Sequence, residues 1–433
     1  TVDVTSGIVA AITSLRAAHP FDTAAVAAVA IGTTHFTNTV VQARGLAPTA
    51  AIRLGLPASA GVPPLTRWPE RLRSAVGDNV FLCHGGHEFD GRQISALDRD
   101  ELRRVAETIA DQGILSAALS SVFSPVNQDC ELAAAQILQD EVAGLRISLS
   151  HEIGRVGLLE RENATIINAS LLPVAETAIA AFADAIARTG IDAPLYLSQN
   201  DGTLMDVDYV RRYPVATFAA GPTNSMRGAA LLSGLDDCIV VDVGGTTADI
   251  GAVVNGFPRP ATTAVDIAGV RTNFRMPDVV SVGIGGGSIV GWDERDPSSI
   301  EIGPESTGHE LHTRAMVFGG STLTVTDLAV ACGRASIGDP ALVADLPRKQ
   351  VRAALALIEK RVATLADTMR TSADAIPMVL VGGGSILLPD DLPGFDKVVR
   401  PENFAVANAI GAAIAQVSGE VDRVFLGEGH SRD

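Results

Sequence analysis

The chain has 433 residues, a formal net charge of −17, 47% apolar, 19% charged and 4% aromatic residues. That length and apolar share argue for two or three packed domains and exclude wholesale disorder. The acidic balance disfavours a broad nucleic-acid-binding surface, and so few aromatics disfavour a stacking platform for single strands; a polyanionic ligand has to be held locally, by loops or a metal.

Cys83, Cys130, Cys238 and Cys332 lie far apart with no CxxC spacing, and read as reduced, mostly buried thiols of a cytoplasmic protein. No run of eighteen or more apolar residues occurs, so no membrane span is expected. The opening TVDVTSGIVAAITSL shows no charged leader region or cleavage site and is expected to enter a helix almost at once.

In chain order, apolar spacing and caps predict a helix over Thr5–His19 and a strand over Ala25–Ile31. Leu46–Asp78 is rich in proline and leucine and poorly periodic. Asp98–Gln112 predicts a helix with Leu102, Val105, Ala106 and Ile109 on one face. A strand over Ile114–Phe123, a helix over Asn127–Val142 and a strand over Leu145–Leu149 follow. Glu152, Glu160, Arg161, Glu162 and Asn163 read as a solvated loop and helix start, with lining of the substrate side as the alternative. A long helix over Asn163–Thr189, broken at Pro173, precedes a strand over Pro194–Ser198.

The second half predicts strands at Ile239–Val243, Asp249–Val254, Asp278–Val282 and Pro377–Val381. Helices are expected at Thr326–Cys332, Lys349–Thr371 and Phe404–Val417. The alternation points to a layered α/β protein. The expected division is a first domain over 1–190, a connecting segment over 191–236 and a second domain over 237–433.

The densest chemical signal is CIVVDVGGTTADIGAVVNG, residues 238–256. A buried strand delivers Asp242 to the turn Gly244-Gly245-Thr246-Thr247, and a second apolar run leads away. Glycines let backbone N–H groups converge on an anion, the threonine hydroxyls add donors, and Asp242 and Asp249 are hard oxygen ligands for magnesium or its waters. No Gly-Lys-Ser/Thr and no following helix are present, so this is not a Walker loop. The alternative is an ordinary glycine hairpin.

Three further glycine turns follow apolar runs: Gly32-Thr33-Thr34, Gly283 to Ser288 (with Gly285, Gly286 and Gly287), and Gly382-Gly383-Gly384-Ser385. Such turns either line a ligand at a sheet edge or allow close helix–sheet packing. With the hairpin, they point to a nucleotide in a cleft between domains. His35, beside Thr33, Thr34, Thr37 and Asn38, forms a polar cluster that is either a cleft wall or a helix cap supplied by Thr37 or Asn38.

The segment His84 to Asp90, HGGHEFD, has the composition of a metal site but no further ligands at helix spacing, so it reads as a solvated loop. His309-Glu310-Leu311-His312 is one residue short of the HExxH motif. No Ser-His-Asp or Cys-His order and no Gly-x-Ser-x-Gly are legible.

VDVGGTTADIGAV resembles the internal Asp-x-Gly-Gly-Thr-x-x-Asp motif of the hydantoinase A / oxoprolinase family. Collinear segments extend the resemblance over nearly the whole chain: IGTTHFTN from Ile31, SQNDGTLM from Ser198, AAGPTNSMRGA from Ala219, SVGIGGGSIVGWDE from Ser281, GPESTG from Gly303, TVTDLAVACGR from Thr324 and VGGGSILLP from Val381. The resemblance implies two ribonuclease-H-like domains, as in actin and sugar kinases, clasping ATP in a cleft. It implies an ATP- and magnesium-dependent hydrolase subunit that phosphorylates a hydantoin, oxoproline or other cyclic amide for ring opening. A hydantoinase B-type partner and an oligomeric assembly are implied too.

Carried onto this sequence, Asp242 holds the metal, Gly244, Gly245, Thr246 and Thr247 cradle phosphates, and Asp249 acts behind the metal or on the attacking oxygen. Gly382 to Ser385 face the adenosine or its phosphates; Gly285 to Ser288 lie near the nucleotide or substrate; Gly32, Thr33, Thr34, His35 and Asn38 face the substrate. Alternatives on the same fold are a small-molecule kinase, an ATP-dependent carboxylase subunit, or a nucleotide-binding partner without turnover. Two departures stand out. The sequence opens after the place where the family's first Asp-x-Gly-Gly-Thr hairpin is expected. His309 to Gly320 also replaces the family's Gly-Pro-x-Cys-Tyr-Gly stretch.

Overall fold

The computed structural model describes residues 4–261, 264–293, 299–395 and 397–419. Glu294, which ends the segment from Ser281, and residues 420–433 of the expected second domain lie outside them.

The first part runs α1 (Val4–Ala18), β1 (Val29–Ile31), α2 (His35–Gln42), β2 (Thr49–Leu56), α3 (Glu70–Val76), β3 (Val80–His84) and α4 (Arg99–Asp111). It continues with β4 (Ser116–Ser121), α5 (Asp129–Glu141), β5 (Arg146–Leu149), α6 (Ser150–Ile153) and α7 (Leu158–Arg188). Strands β3-β2-β4-β5 form a parallel sheet. One face carries Ile52, Leu54 and Leu119 against α4 and α5, through Leu102, Ile109, Ala134 and Leu138. The other face packs on α7, through Ala51, Ala118, Ile166 and Ile167.

With both faces covered, β2 is buried along nearly its whole length. A strand of that kind has no alternating pattern, which is why Leu46–Asp78 reads as shapeless in sequence although it contains β2 and α3.

Helix α7 is unbroken through Pro173. It is long and apolar enough to cross a membrane by length and composition alone, although no run of eighteen purely apolar residues occurs. Here it is a core helix, with most of its length buried against protein. Its first turns correct the expectation of a solvated loop: Arg161 and Glu162 are buried. Glu162 receives Nε and Nη2 of Arg53 on β2 at 2.7 and 2.5 Å, and Ser120 Oγ at 2.8 Å. Arg161 donates to Ser150 Oγ and to the carbonyls of Ser121, Arg155 and Val156. Buried charges persist only when every donor and acceptor is met in this way.

The chain then forms β6 (Leu195–Ser198), β7 (Leu204–Asp206), α8 (Val207–Arg212) and α9 (Ala220–Ser233). Strand β6 pairs parallel with β1 and antiparallel with β7, so the start of the expected connecting segment completes a sheet begun before α2. The remainder comprises β8 (Cys238–Val243), β9 (Ala248–Val254), β10 (Phe257–Pro258), β11 (Val265–Ile267), β12 (Val270–Thr272), β13 (Val279–Val282), β14 (Ser288–Trp292) and β15 (Ile300–Ser306). After these come α10 (Leu311–Arg314), α11 (Val325–Ala331), α12 (Arg348–Thr368), β16 (Met378–Val381), β17 (Val398–Val399) and α13 (Ala407–Ala413).

The largest sheet runs β10-β9-β8-β16-β17, with β13 also on β9. Ile239, Val241 and Val243 face α12, whereas Cys238 and Val240 face Met226 and Ala229 of α9. Ile267, Val270, Phe274 and Met276 instead join the core around α7. Helix α9 is absent from the expectations because AAGPTNSMRGAALLS is broken by Gly and Pro, yet Pro222 sits in the first turn, where its missing N–H costs nothing. Gly228 and Gly411 let α9 and α13 meet backbone to backbone: a Cβ on either would lie 2.0 Å from Ala407 O and 1.8 Å from Asn224 O, respectively.

Replacing Glu162 by Ala strands Arg53 and should cost about 3–5 kcal/mol in denaturant titration. Asp184→Ala, which removes an exposed pair on the same helix (Arg188–Asp184, 2.7 Å), should cost less than about 1 kcal/mol.

Candidate functional site

Strands β8 and β9 place Asp242 directly opposite Asp249. Opposed residues of an antiparallel pair share a face, and this is the α9 face, since Val240 packs there. Burial pushes both carboxyls above the ordinary aspartate range; Asp242 raises Asp249 further, while hydrogen bonds from Ser225 and Ser281 pull Asp242 and Asp249 back down. The hairpin tip is closed by Gly244 N–H donating to Thr247 O at 2.8 Å. Gly245, Thr246 and Thr247 are exposed, and among the described residues their amides meet no acceptor. Uncommitted N–H groups next to paired carboxylates suit an anion bridged by a hard cation.

Two glycine loops wall this hairpin. Gly382, at φ +81°, leaves no room for a side chain: a Cβ would lie 2.2 Å from Asp242 Oδ1. A Cβ on Gly384 would lie 2.7 Å from Gly244 O, whereas Gly383 is open. Ser385 is fully buried and its Oγ has no partner. The Gly285–Ser288 loop touches the tip differently. Gly286 and Gly287 N–H donate to Gly244 O and Gly245 O at 3.0 and 2.7 Å, Gly285 N–H to Ser288 Oγ at 2.8 Å, and Ser288 N–H to Gly285 O at 3.1 Å. All four amides are engaged inside the protein, so this geometry braces the hairpin and offers no free N–H to a ligand.

Gly32 stands against α9, where a Cβ would lie 2.5 Å from Asn224 Nδ2. The next residue of α9, Ser225, bonds Asp242. One helix thus brings the end of β1 and the hairpin to adjacent residues. Helix α2 begins at His35, with Thr34 at its N-cap and Thr33 Oγ1 accepting His35 N–H at 3.1 Å, so Thr37 and Asn38 lie inside the helix and not at its cap. Asn38 Nδ2 donates to Thr34 Oγ1 at 3.3 Å. Burial pulls His35 below the usual imidazole range, which keeps it neutral at pH 7.

Sequence reasoning missed Asn224, Ser225, Ser281 and Asn408. Asn224 and Ser225 lie inside AAGPTNSMRGA and Ser281 opens SVGIGGG, but nothing in sequence marks Asn408.

Elsewhere, His84 meets two acidic side chains that spacing could not show: its ring nitrogen and the carboxylates of Asp98 and Glu101 lie within 4.8 Å of one another. Asp98 also caps α4 by accepting Asp100 and Glu101 N–H, and His87 is buried apart. His309 and His312 join no metal-ligating group among the described residues; His312 packs on Phe318 at 4.8 Å.

Carboxylates whose ionisation is disfavoured in the fold make stability fall as pH rises from the ordinary value of 3.8 through the raised one. Asp249→Asn should therefore raise the thermal midpoint at pH 7, a gain that vanishes below the unfolded-state value and that thermal melts at pH 7 and pH 3 would read.

Residues 161–380 match the Hydantoinase/oxoprolinase family model and residues 1–142 its N-terminal region. Caprolactamase subunit alpha of Pseudomonas jessenii is 26% identical over 351 residues, covering 80% of this chain and 48% of that protein. Acetophenone carboxylase gamma subunit of Aromatoleum aromaticum is 27% identical over 255 residues, covering 57% and 34%. The chain thus spans between a third and a half of these curated relatives. Among solved structures, ATP-dependent caprolactamase from P. jessenii matches with a TM-score of 0.76 at 20% identity, covering 96% of this chain and 66% of that one. Nucleotide-free acetone carboxylase matches at 0.67 and 18% identity, covering 95% and 65%. The motifs, the mixed α/β fold and both family models agree: the chain belongs to the hydantoinase/oxoprolinase family.

Proposed function

We propose that this chain binds ATP with magnesium at the β8–β9 hairpin and serves as the ATP-dependent subunit of an enzyme that activates a cyclic amide for ring opening. The observation that carries this reading is the pairing of Asp242 and Asp249 in register beneath a tip whose Gly245, Thr246 and Thr247 amides meet no acceptor among the described residues. The donor set fits the group: carboxylate oxygens for a hard cation, free N–H and threonine hydroxyls for phosphate oxygens, and glycine where a side chain would collide. ATP, when bound, supplies the phosphoryl group that activates an otherwise unreactive amide oxygen.

The residues of this chain position and neutralise. Gly245, Thr246 and Thr247 hold terminal phosphate oxygens; Asp242 holds magnesium, with Asp249 beside it; Gly382 and Gly384 keep the adjoining wall low enough for close approach. Phosphoryl transfer depends on such positioning more than on covalent help from side chains. Substrate is read as approaching from the Gly32–Asn38 side, with neutral His35 available as a hydrogen-bonding group. The hairpin sheet and the β1–β6–β7 sheet are read as belonging to two ribonuclease-H-like halves joined through α9. The relatives are named as subunits, which supports a multi-subunit assembly, a B-type subunit being the proposed partner; a cytoplasmic location is part of the same proposal.

A second reading, an ATP-dependent carboxylase subunit, is favoured by the similarity to acetophenone carboxylase and acetone carboxylase. Product analysis separates the two: ring-opened amide without bicarbonate supports the hydrolase, and bicarbonate-dependent turnover supports the carboxylase.

Asp242→Ala should lower magnesium-nucleotide affinity by more than about 100-fold, since even outer-shell partners of a metal are worth 10–100-fold. Calorimetric titration of the full-length protein measures this, with an unchanged circular dichroism spectrum as the folding control. Wild-type affinity in a folded variant would sink the assignment.

A further inference from the structure

Ser281, Asp249 and Asp242 stand in one row across three adjacent strands: Ser281 pairs with Asp249 on one side, and Asp242 pairs with it on the other. Directly opposed side chains share a face, so a hydroxyl and two carboxylates line up beneath the N-terminal half of α9. Carboxylates this close repel and drift apart unless something holds them. No arginine, lysine or histidine forms a salt bridge with either among the described residues; the neighbouring charge acting on Asp249 is that of Asp242.

Hydroxyls hold them instead, one on each. Ser281 Oγ donates to Asp249 Oδ1. Ser225, on the α9 side, is the hydroxyl that acts on the Asp242 carboxyl. The Ser225 rotor is itself set: Asn408 Nδ2 on α13 donates to Ser225 Oγ at 3.3 Å and to Gly221 O at 2.8 Å. With a lone pair of Ser225 Oγ engaged by Asn408, its proton is left available to the carboxylate. An ionised carboxylate has two oxygens, so one hydroxyl on each leaves the second oxygen of each aspartate free.

We propose that Ser281 is a positioning residue that engages one oxygen of Asp249, and that Ser225, held by Asn408, does the same for Asp242 across the row, so that the remaining oxygens are presented to a single shared divalent cation. Asn408 acts one step further out, by orienting Ser225. The assignment rests on the reading of the hairpin as a magnesium-nucleotide site. It goes beyond that reading by making both aspartates direct ligands and by assigning the residues that aim them.

The test is a magnesium titration of ADP binding to the full-length protein and its variants. Ser281→Ala and Ser225→Ala should each raise the magnesium concentration at half-saturation about tenfold, the scale of outer-shell effects on metal sites. ADP affinity at saturating magnesium should return to the wild-type value. Ser281→Thr, which keeps the hydroxyl at an exposed position, should titrate like wild type, and Asn408→Ala should shift in the same direction as Ser225→Ala by a smaller factor. If wild type binds no ADP at any magnesium concentration, the nucleotide reading fails and this proposal with it. If wild type binds and the alanine variants titrate identically, the nucleotide reading stands and the positioning role is overturned. A loss that saturating magnesium does not restore, or that threonine does not rescue, also overturns it, because a packing defect behaves that way.

Discussion

The structure turns on the contact between α9 and α13. Two helices with side chains at their crossing keep their axes about 8–10 Å apart; Gly228 and Gly411 remove that spacer, and each backbone fills the space a side chain would take. The close crossing keeps α9 flat against the largest sheet, with Met226 lodged where Gly251 has no side chain. From that position Asn224 meets Gly32 and Ser225 reaches Asp242. Asn408 comes from α13 to the same place, its amide on Gly221 O and Ser225 Oγ. A shift of α9 by the width of a methyl group would part the end of β1 from the hairpin.

The hairpin gives up stability at its paired aspartates. Two carboxylates face each other without a basic partner, in surroundings that disfavour their charge. A fold selected for stability alone would place an amide or an apolar residue there. The glycines around them follow the same logic. Gly382 at φ +81° and Gly384 give up side-chain packing so that the β16 loop can press against Asp242 and Gly244. The Gly285–Ser288 loop completes the arrangement by taking up the carbonyls of Gly244 and Gly245.

The parallel β3-β2-β4-β5 sheet is secured by a different device. Arg53, Glu162, Arg161 and Glu131 are all buried, and each is met by several partners: Glu131 alone accepts from Ser121 N–H, Ser150 Oγ and His151 N–H. Such a network specifies one seating of α7 on the sheet, because any other seating leaves an unpaired charge in the interior. α7 also contributes to the core that Ile267, Val270 and Phe274 enter from the second half of the chain. The two halves are therefore bound by burial as well as by α9.

Sequence by itself determined the elements whose pattern is local. α4, α5 and α12 show a 3.6-residue apolar face, and β8 and β9 follow from apolar runs closing on a glycine turn with Asp242 and Asp249 at its ends. The family, and the hairpin as the candidate site, were legible for the same reason: their signal lies in contiguous residues. Tertiary structure alone decided what depends on distant partners. β2 shows no periodicity because both its faces are covered; the sequence of α9 reads as broken until Pro222 is seen in its first turn and Gly228 at the helix crossing; Arg161 and Glu162 look solvated until Arg53 and Ser150 are brought to them. The same holds at the candidate site, where Ser281 reaches Asp249 from a neighbouring strand and Asn408 reaches Ser225 from another helix, far apart in sequence. No spacing rule encodes such an encounter, because it is the fold, through register and helix crossing, that sets the distance.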